Sequence, residues 1–225
     1  MKKYLVLSFD DGTIYDKRFI ELLNKYNIPA TLNLNSGLCD FVWYYNDCFP
    51  IRRLKLEECG NMFDGHEIAS HTLTHPYLTS LSHDELVYQV NQDVNNLERI
   101  FNTRVESFGV PFTPCDEREI NIIKNNTPIK YMRLSYMKEK GDFSIPCDKY
   151  HFGINALYND LDIYNQIKEF ADNKLDKSIF IIAGHSYEFE VNNHWDYIEN
   201  LLKYIKLFNE FEVVTFKEAV TSLFE

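Results

Sequence analysis

The chain has 225 residues, of which 45% are hydrophobic and 15% aromatic, and its formal net charge at pH 7 is −11. This length and composition fit a single domain over residues 1–225 with a substantial apolar core. The acidic balance and the lack of a basic stripe argue against nucleic acid as a partner, since a phosphate backbone needs clustered lysine and arginine.

The N-terminal residues and the cysteines indicate the compartment. The apolar run that follows Lys2 and Lys3 is too short for a signal peptide and ends in acids, and no stretch approaches transmembrane length. The five cysteines form no Cys-x-x-Cys pair, which favours free thiols in a reducing compartment over a disulfide framework or a zinc ribbon. We therefore expect a cytoplasmic protein with no membrane partner.

Strand-like and helix-like segments alternate along the chain. Strands are predicted at 4–9, 30–35, 67–70, 105–110, 129–134, 178–183 and 211–214. Helices are predicted at 16–26, 82–101, 160–170, 194–208 and 216–223, the second and the last of these with capping boxes at their starts. Seven strand–helix units predict an α/β fold with a parallel sheet, and they fit a barrel-like sheet better than an open one.

Residues 36–64 interrupt this alternation. The segment is long, rich in aromatic residues and cysteine, and contains both glycine and proline. We interpret it as an elaborated loop that lines a site. Its aromatic residues are suited to stacking on sugar faces, although ordinary packing is the favoured interpretation.

Two adjacent carboxylates, Asp10 and Asp11, follow the first predicted strand and precede Gly12. Adjacent carboxylates raise each other's pKa unless a cation or hydrogen bonds separate their roles. A solvated surface turn is one interpretation of the pair. The other is a strand end at which one acid binds a metal ion and the second moves a proton.

Two histidines, His71 and His75, lie four residues apart and precede Pro76. This spacing predicts a single helical turn with both imidazoles on one side. Alone, it favours metal binding and a hydrogen-bonded pair equally. With Asp11, the histidines form a three-ligand set of the kind found in catalytic zinc sites and in non-haem iron oxygenases. The spare acid, Asp10, favours hydrolysis.

A third signal is His185, at the end of the apolar run 178–183. A loop histidine with no role is the alternative interpretation. However, Asp10, Asp11, His71 and His185 all follow predicted strands, and parallel barrels build their active sites at the carboxyl ends of strands.

Together these stretches resemble the polysaccharide deacetylase (NodB-homology) family, carbohydrate esterase family 4. The resemblance rests on SFDDG at 8–12, GHEIASHTLTHP at 65–76 and the late strand ending in histidine, and it runs from about residue 3 to about residue 189. It implies a distorted (β/α)7 barrel. It also implies a divalent ion, zinc first and cobalt, nickel or manganese as alternatives, and removal of acetyl groups from an acetylated carbohydrate.

The resemblance also implies a role for each site residue. Asp11, His71 and His75 would bind the metal, Asp10 would be the general base and His185 the general acid. The supporting residues would be Thr72 in the ligand turn and Pro111 with Phe112, near which a main-chain N–H would hold the oxyanion.

Two departures from the family pattern concern the support of these groups. Gly109 stands where the family has an arginine that holds the base, and Arg133 is a candidate substitute from another strand end, with a surface arginine as the equal alternative. The family's fourth motif is not recognisable.

The expected function is therefore metal-dependent hydrolysis of the acetyl group of an N-acetylated sugar or polysaccharide. Hydrolysis of another amide or ester in the same barrel family is one alternative. A carbohydrate-binding relative with impaired catalysis is the other.

Overall fold

The structure, a computed structural model, describes residues 1–225 and contains eleven strands and seven helices. The strands are β1 Lys2–Asp10, β2 Thr31–Leu34, β3 Val42–Tyr45, β4 Phe49–Arg52, β5 Glu67–Ser70, β6 Ser107–Gly109, β7 Tyr131–Met137, β8 Phe152–Ile154, β9 Ala156–Leu157, β10 Lys177–His185 and β11 Glu212–Val213. The helices are α1 Asp16–Lys25, α2 His83–Phe101, α3 Glu117–Asn126, α4 Ile163–Asp172, α5 Tyr187–Val191, α6 Trp195–Ile205 and α7 Phe216–Phe224.

The main sheet is parallel and nearly closed. Its strands follow the order β8-β7-β6-β5-β2-β1-β10-β9, and β11 pairs with β1 beside that path. The two end strands are consecutive in the chain and are joined by Asn155 alone. Asn155 N donates to Ile181 O at 2.9 Å, and Ile181 N donates to Asn155 Oδ1 at 2.8 Å. With β8 and β9 counted as one position, the ring has seven positions, so the predicted distorted (β/α)7 barrel is confirmed.

The seventh ring position is not the one that the sequence predicts. The predicted strand 211–214 is only the two-residue β11, which pairs with Tyr4 and Leu5 at the start of β1. The ring position belongs to residues 152–157, which the sequence analysis missed because Gly153 and Asn155 break its apolar pattern. Helices α3 and α5 were missed as well.

The segment predicted as a loop, 36–64, contains regular structure. It holds the antiparallel hairpin of β3 and β4, flanked by short 3-10 helices at Ser36–Leu38 and Leu56–Glu58. We call residues 42–52 the inserted hairpin. It lies outside the barrel sheet, and alternating burial along β3 leaves Val42 and Tyr44 exposed.

The core follows from the sequence patterns. Strands β1 and β10 are almost wholly buried, as expected for central parallel strands, and the helices turn one apolar face to them. Both predicted capping boxes are present, at Ser82 with Glu85 and at Thr215 with Glu218. All five cysteines are free. None of the helices combines the length and apolar composition that a membrane crossing requires.

Candidate active site

The carboxyl ends of the barrel strands surround a cavity of about 610 Å³. Seven of the nine predicted site residues line it, namely Asp10, Asp11, His71, His75, Phe112, Arg133 and His185. The other two, Thr72 and Pro111, are not among the lining residues. The structure therefore brings together groups from the ends of β1 and β10, from within β7 and from the loops that follow β1, β5 and β6.

Asp11, His71 and His75 form one compact cluster. Their ligand atoms all lie within 4.8 Å of one another. The Nε2 atoms of His71 and His75 are 3.1 Å apart. Asp11 Oδ1 lies 3.4 Å from Nε2 of His75 and 4.0 Å from Nε2 of His71. These are the distances expected of three donors that face a common point.

The protonation of these donors suits a cation. His71 Nδ1 donates to Gly109 O at 2.7 Å, which leaves the lone pair of Nε2 directed at the cluster. Burial lowers the pKa of His71 to about 3, so its ring is neutral at pH 7. Asp11 Oδ1 is buried and accepts no aligned hydrogen bond. Two neutral imidazoles and a carboxylate oxygen that accepts no hydrogen bond therefore fit a divalent ion.

The turn that carries the histidines is not helical, so the predicted single helical turn is wrong. Thr72 and His75 both have left-handed backbones, with φ of 66° and 55°. The turn is stabilised instead by side chains: Thr72 Oγ1 accepts from His75 N at 3.0 Å, and Asn35 Nδ2 donates to Thr72 O at 2.8 Å. Thr72 thus contributes a side-chain hydrogen bond within the turn that joins the two histidines.

A buried acid on α2, Asp93, fixes the start of the same turn. Its carboxylate accepts from Ser70 Oγ at 2.6 Å and from His71 N at 3.3 Å. Burial raises the pKa of Asp93 to about 7, although these hydrogen bonds act to lower it. Asp93 was not predicted from the sequence, although an acid among the apolar residues on the inner face of α2 is a signal for such a role.

Asp10 is held by Asn33 and Arg133. Asn33 Nδ2 donates to Asp10 Oδ1 at 2.7 Å, and Arg133 Nη2 forms a short charge-assisted bond with the same oxygen. Burial alone would raise the pKa of Asp10, but Arg133, His71 and His185 hold it below its usual range. Both hydrogen bonds fall on Oδ1, so Oδ2 is left to interact with a ligand.

Gly109 and Arg133 are neighbours in register on β6 and β7. A Cβ at position 109 would lie 2.7 Å from Arg133 Nη2 and 2.7 Å from Asn33 Cγ. The glycine therefore makes room for an arginine that reaches Asp10 from the next strand. The contact with Asp10 supports the substitute interpretation of Arg133, whose side chain is 1% exposed, over a surface arginine.

His185 faces the cluster from the end of β10. Its Nε2 lies 3.9 Å from Asp11 Oδ2, and its Nδ1 lies 3.5 Å from Glu188 Oε1. Burial opposes the charged ring, but Glu188, Asp11 and Asp10 together raise the pKa of His185 to about 9. Glu188, on α5, was missed because helix α5 was missed.

Phe112 combines an unusual backbone with an unpaired donor. Its φ is 58°, a conformation that is rare for a bulky residue and typical of functional turns. Its main-chain N–H makes no hydrogen bond within the protein. Its ring stacks on Tyr77 at 4.1 Å between centroids and meets the edge of His75 at 4.4 Å. A free N–H on a residue that lines the cavity is a candidate oxyanion donor.

The segment 36–64 forms one wall of the cavity, as the sequence analysis expected. Leu38, Phe41, Trp43 and Arg53 all line the cavity. Trp43 packs edge-on against Tyr187 at 5.6 Å, so this wall is continuous with α5. Phe41 is 51% exposed, which leaves its ring accessible to a ligand.

One family model and two curated proteins are similar in sequence to this chain. The model of the family described as polysaccharide deacetylase matches residues 1–128. The peptidoglycan-N-acetylmuramic acid deacetylase PdaC of Bacillus subtilis is 32% identical over 113 residues, which are 49% of this chain and 22% of that protein. The chitin deacetylase of Colletotrichum lindemuthianum is 25% identical over 113 residues, 50% of this chain and 43% of that protein.

The fold is also found among solved structures. The Xyl-CE4 domain of a multidomain xylanase, from the hindgut metagenome of Trinervitermes trinervoides, superposes with a TM-score of 0.64 at 17% identity, covering 99% of this chain and 91% of that one. The chain spans less than half the length of either curated relative that it matches.

Proposed function

Because the chain belongs to the polysaccharide deacetylase family, carbohydrate esterase family 4, we propose that it is a metal-dependent hydrolase that removes an acetyl group from an N-acetylated sugar or polysaccharide. One observation carries the proposal. Two acids that are adjacent in sequence have separate partners, with Asp11 facing the histidine pair and Asp10 held by Arg133.

Asp11, His71 and His75 would hold the ion. Two imidazoles and a carboxylate suit zinc best, and cobalt, nickel or manganese are also compatible with this set. When bound there, the ion supplies Lewis-acid polarisation of the acetyl carbonyl and a lowered pKa for a water molecule.

Asp10 would act as the general base. Its free Oδ2 accepts a proton from the attacking water while Arg133 and Asn33 fix the carboxylate through Oδ1. Because Arg133 favours the charged form, the base is ionised at neutral pH and ready to accept that proton.

His185 would act as the general acid. Its raised pKa keeps the ring protonated at pH 7, so that Nε2 can deliver a proton to the departing amine as the carbon–nitrogen bond breaks. The free main-chain N–H of Phe112 would donate to the oxygen that becomes negatively charged during attack.

Two alternatives have specific support. An acetyl ester in place of an amide is compatible with the same groups, and one similar solved structure is a domain of a xylanase. A carbohydrate-binding protein with impaired catalysis is suggested by Gly109, but the contact between Arg133 and Asp10 supports a working base.

The test is acetate release from a panel of N-acetylated chito-oligosaccharides, N-acetylated monosaccharides, acetylated xylan and cyclic amides. We expect the zinc-loaded protein to deacetylate at least one N-acetylated sugar, a chelator to abolish the activity, and zinc or cobalt to restore it. Preferential cleavage of acetylated xylan would favour the esterase. Zinc binding without turnover of any member would favour the binding protein.

A further inference from the structure

Arg53 is a buried arginine that follows the inserted hairpin. Leu54 N donates to Gly12 O at 2.8 Å and Ile14 N donates to Arg52 O at 3.0 Å, so the chain after β4 lies against the turn after β1. The Arg53 side chain is only 7% exposed. A cation at this depth needs polar partners, because burial of an unpaired charge is costly.

The guanidinium of Arg53 is directed at Asp11. Nη1 donates to the main-chain O of Asp11 in a short hydrogen bond, and it lies 3.0 Å from Asp11 Oδ1. The ring of Trp43 covers the guanidinium at 4.7 Å. Arg53 therefore contacts both the backbone and the side chain of one proposed metal ligand.

The backbone that Arg53 holds is strained. Asp11 has a φ of 89°, a region that favours glycine, and its main-chain N donates to Asn33 O at 3.0 Å. This turn is what directs the carboxylate at the histidines rather than along the strand. The hydrogen bonds at the main-chain N and O of Asp11 therefore hold a conformation that is unfavourable for a residue with a side chain.

Arg53 also reaches the histidine turn through Asn35. Its Nη1 donates to Asn35 Oδ1 at 2.6 Å, and Asn35 Nδ2 donates to the main-chain oxygens of His71 and Thr72. One arginine thus ties the turn after β1 to the turn after β5. These two turns carry all three proposed ligands.

We propose that Arg53 is a positioning residue of the metal site, which holds the carbonyl and carboxylate of Asp11 so that Oδ1 stays directed at Nε2 of His71 and His75. The inference rests on the proposed function in taking Asp11 as a ligand. The Arg53 guanidinium attracts the Asp11 carboxylate without donating an aligned hydrogen bond to Oδ1. The lone pairs of Oδ1 therefore remain available to an ion.

The adjacent Arg52 provides a matched control. Its side chain is half exposed and pairs with Asp40 at the surface. Both arginines come from the same stretch of chain and carry the same charge, but only the side chain of Arg53 contacts a ligand turn. A difference between the two substitutions therefore reports the contacts of Arg53 rather than the net charge of the hairpin.

The experiment measures the zinc dissociation constant by competition with a chromophoric chelator, for the wild type and for Arg53→Met, Arg53→Lys and Arg52→Met. We expect Arg53→Met to weaken zinc binding by about 10- to 100-fold, the range found when a supporting contact to a ligand is lost. Arg53→Lys keeps the charge without the planar fork and should lose less. Arg52→Met should match the wild type.

The proposal would be overturned if Arg53→Met bound zinc as tightly as Arg52→Met, or more tightly. The Arg53 guanidinium would then have no effect on the ion or would repel it. If Arg53→Met does not fold by circular dichroism, Arg53→Lys and Arg53→Gln carry the same comparison. A wild type that binds zinc but releases no acetate would overturn only the proposed function. A wild type that binds no zinc would overturn both.

Discussion

The turns that carry the reactive groups and the segments that support them differ in how they are built. Asp10, Asp11, His71 and His75 come from two short stretches at the carboxyl ends of β1 and β5, which only β2 separates in the sheet. Their supports come from far along the chain: Arg133 is 123 residues from Asp10, and Arg53 is 42 residues from Asp11. Each aspartate of the pair has its own arginine, from β7 and from the segment after β4.

The presence of the reactive groups and their orientation therefore depend on different parts of the sequence. The reactive groups are specified locally, so a short motif is enough to identify them. Their orientation depends on long-range packing, and the same contact can be made from another strand when space allows, as Gly109 allows for Arg133. Changes in the reactive turns should abolish function, whereas changes in the supports should weaken it.

The largest effect is expected for His71→Ala. Loss of a buried ligand should weaken zinc binding by more than about 100-fold, beyond the range for supporting contacts, and acetate release should fall with it. His83→Ala is the control, since His83 is exposed and pairs only with Asp84. Zinc affinity of His71→Ala equal to that of the control would remove His71 from the metal site.

A somewhat smaller effect is expected for the support of Asp10. Arg133→Gly should lower kcat by about 100-fold with zinc affinity retained, because the base loses its orientation. Arg133→Lys keeps the charge without the planar fork and should retain more activity than Arg133→Gly. A fully active Arg133→Gly protein would show that Asn33 alone is sufficient.

A pH-dependent effect is expected for the support of His185. A general acid must be protonated, so activity is lost as the pH rises above the pKa of His185. Glu188 raises that pKa, and Glu188→Gln should therefore move the alkaline limb of the kcat profile to lower pH. Glu188→Asp keeps a carboxylate, so its alkaline limb should lie between those of Glu188→Gln and the wild type. An alkaline limb of Glu188→Gln at the wild-type pH would show that Glu188 does not influence the general acid.

The smallest effect is expected at the rim of the cavity. Tyr77 is 53% exposed and stacks on Phe112, which suits it to contact a sugar face. Tyr77→Ala should raise KM by about 5- to 10-fold with kcat retained, in line with roughly 1 kcal/mol for an aromatic contact. Tyr88→Ala, on the exposed side of α2, is the control. Equal KM values would place the substrate elsewhere.

The sequence predicted the parts of the molecule that depend on local pattern. The strands β1 and β10, the capped helices α2 and α7 and the grouping of Asp10, Asp11, His71, His75 and His185 all follow from apolar runs, caps and strand ends. The left-handed turn at Thr72 and His75 was not predicted, since its hydrogen bonds to Asn35 and Asp93 depend on tertiary contacts.

The supports were the least predictable part. Arg53 and Glu188 carry no motif, and their roles depend on a hairpin and a five-residue helix that the sequence pattern did not indicate. The ring position at 152–157 was missed for a similar reason, because a strand broken at Asn155 is held by its neighbours rather than by its own apolar run.

The central claim is that the adjacent acids have divided roles, and the most direct measurement compares Asp10→Asn with Asp11→Asn for zinc stoichiometry and acetate release. We predict that Asp10→Asn binds zinc like the wild type but releases acetate about 100- to 10,000-fold more slowly, and that Asp11→Asn loses zinc. Acetate release at the wild-type rate by Asp10→Asn, or equal loss of zinc in both variants, would contradict the account.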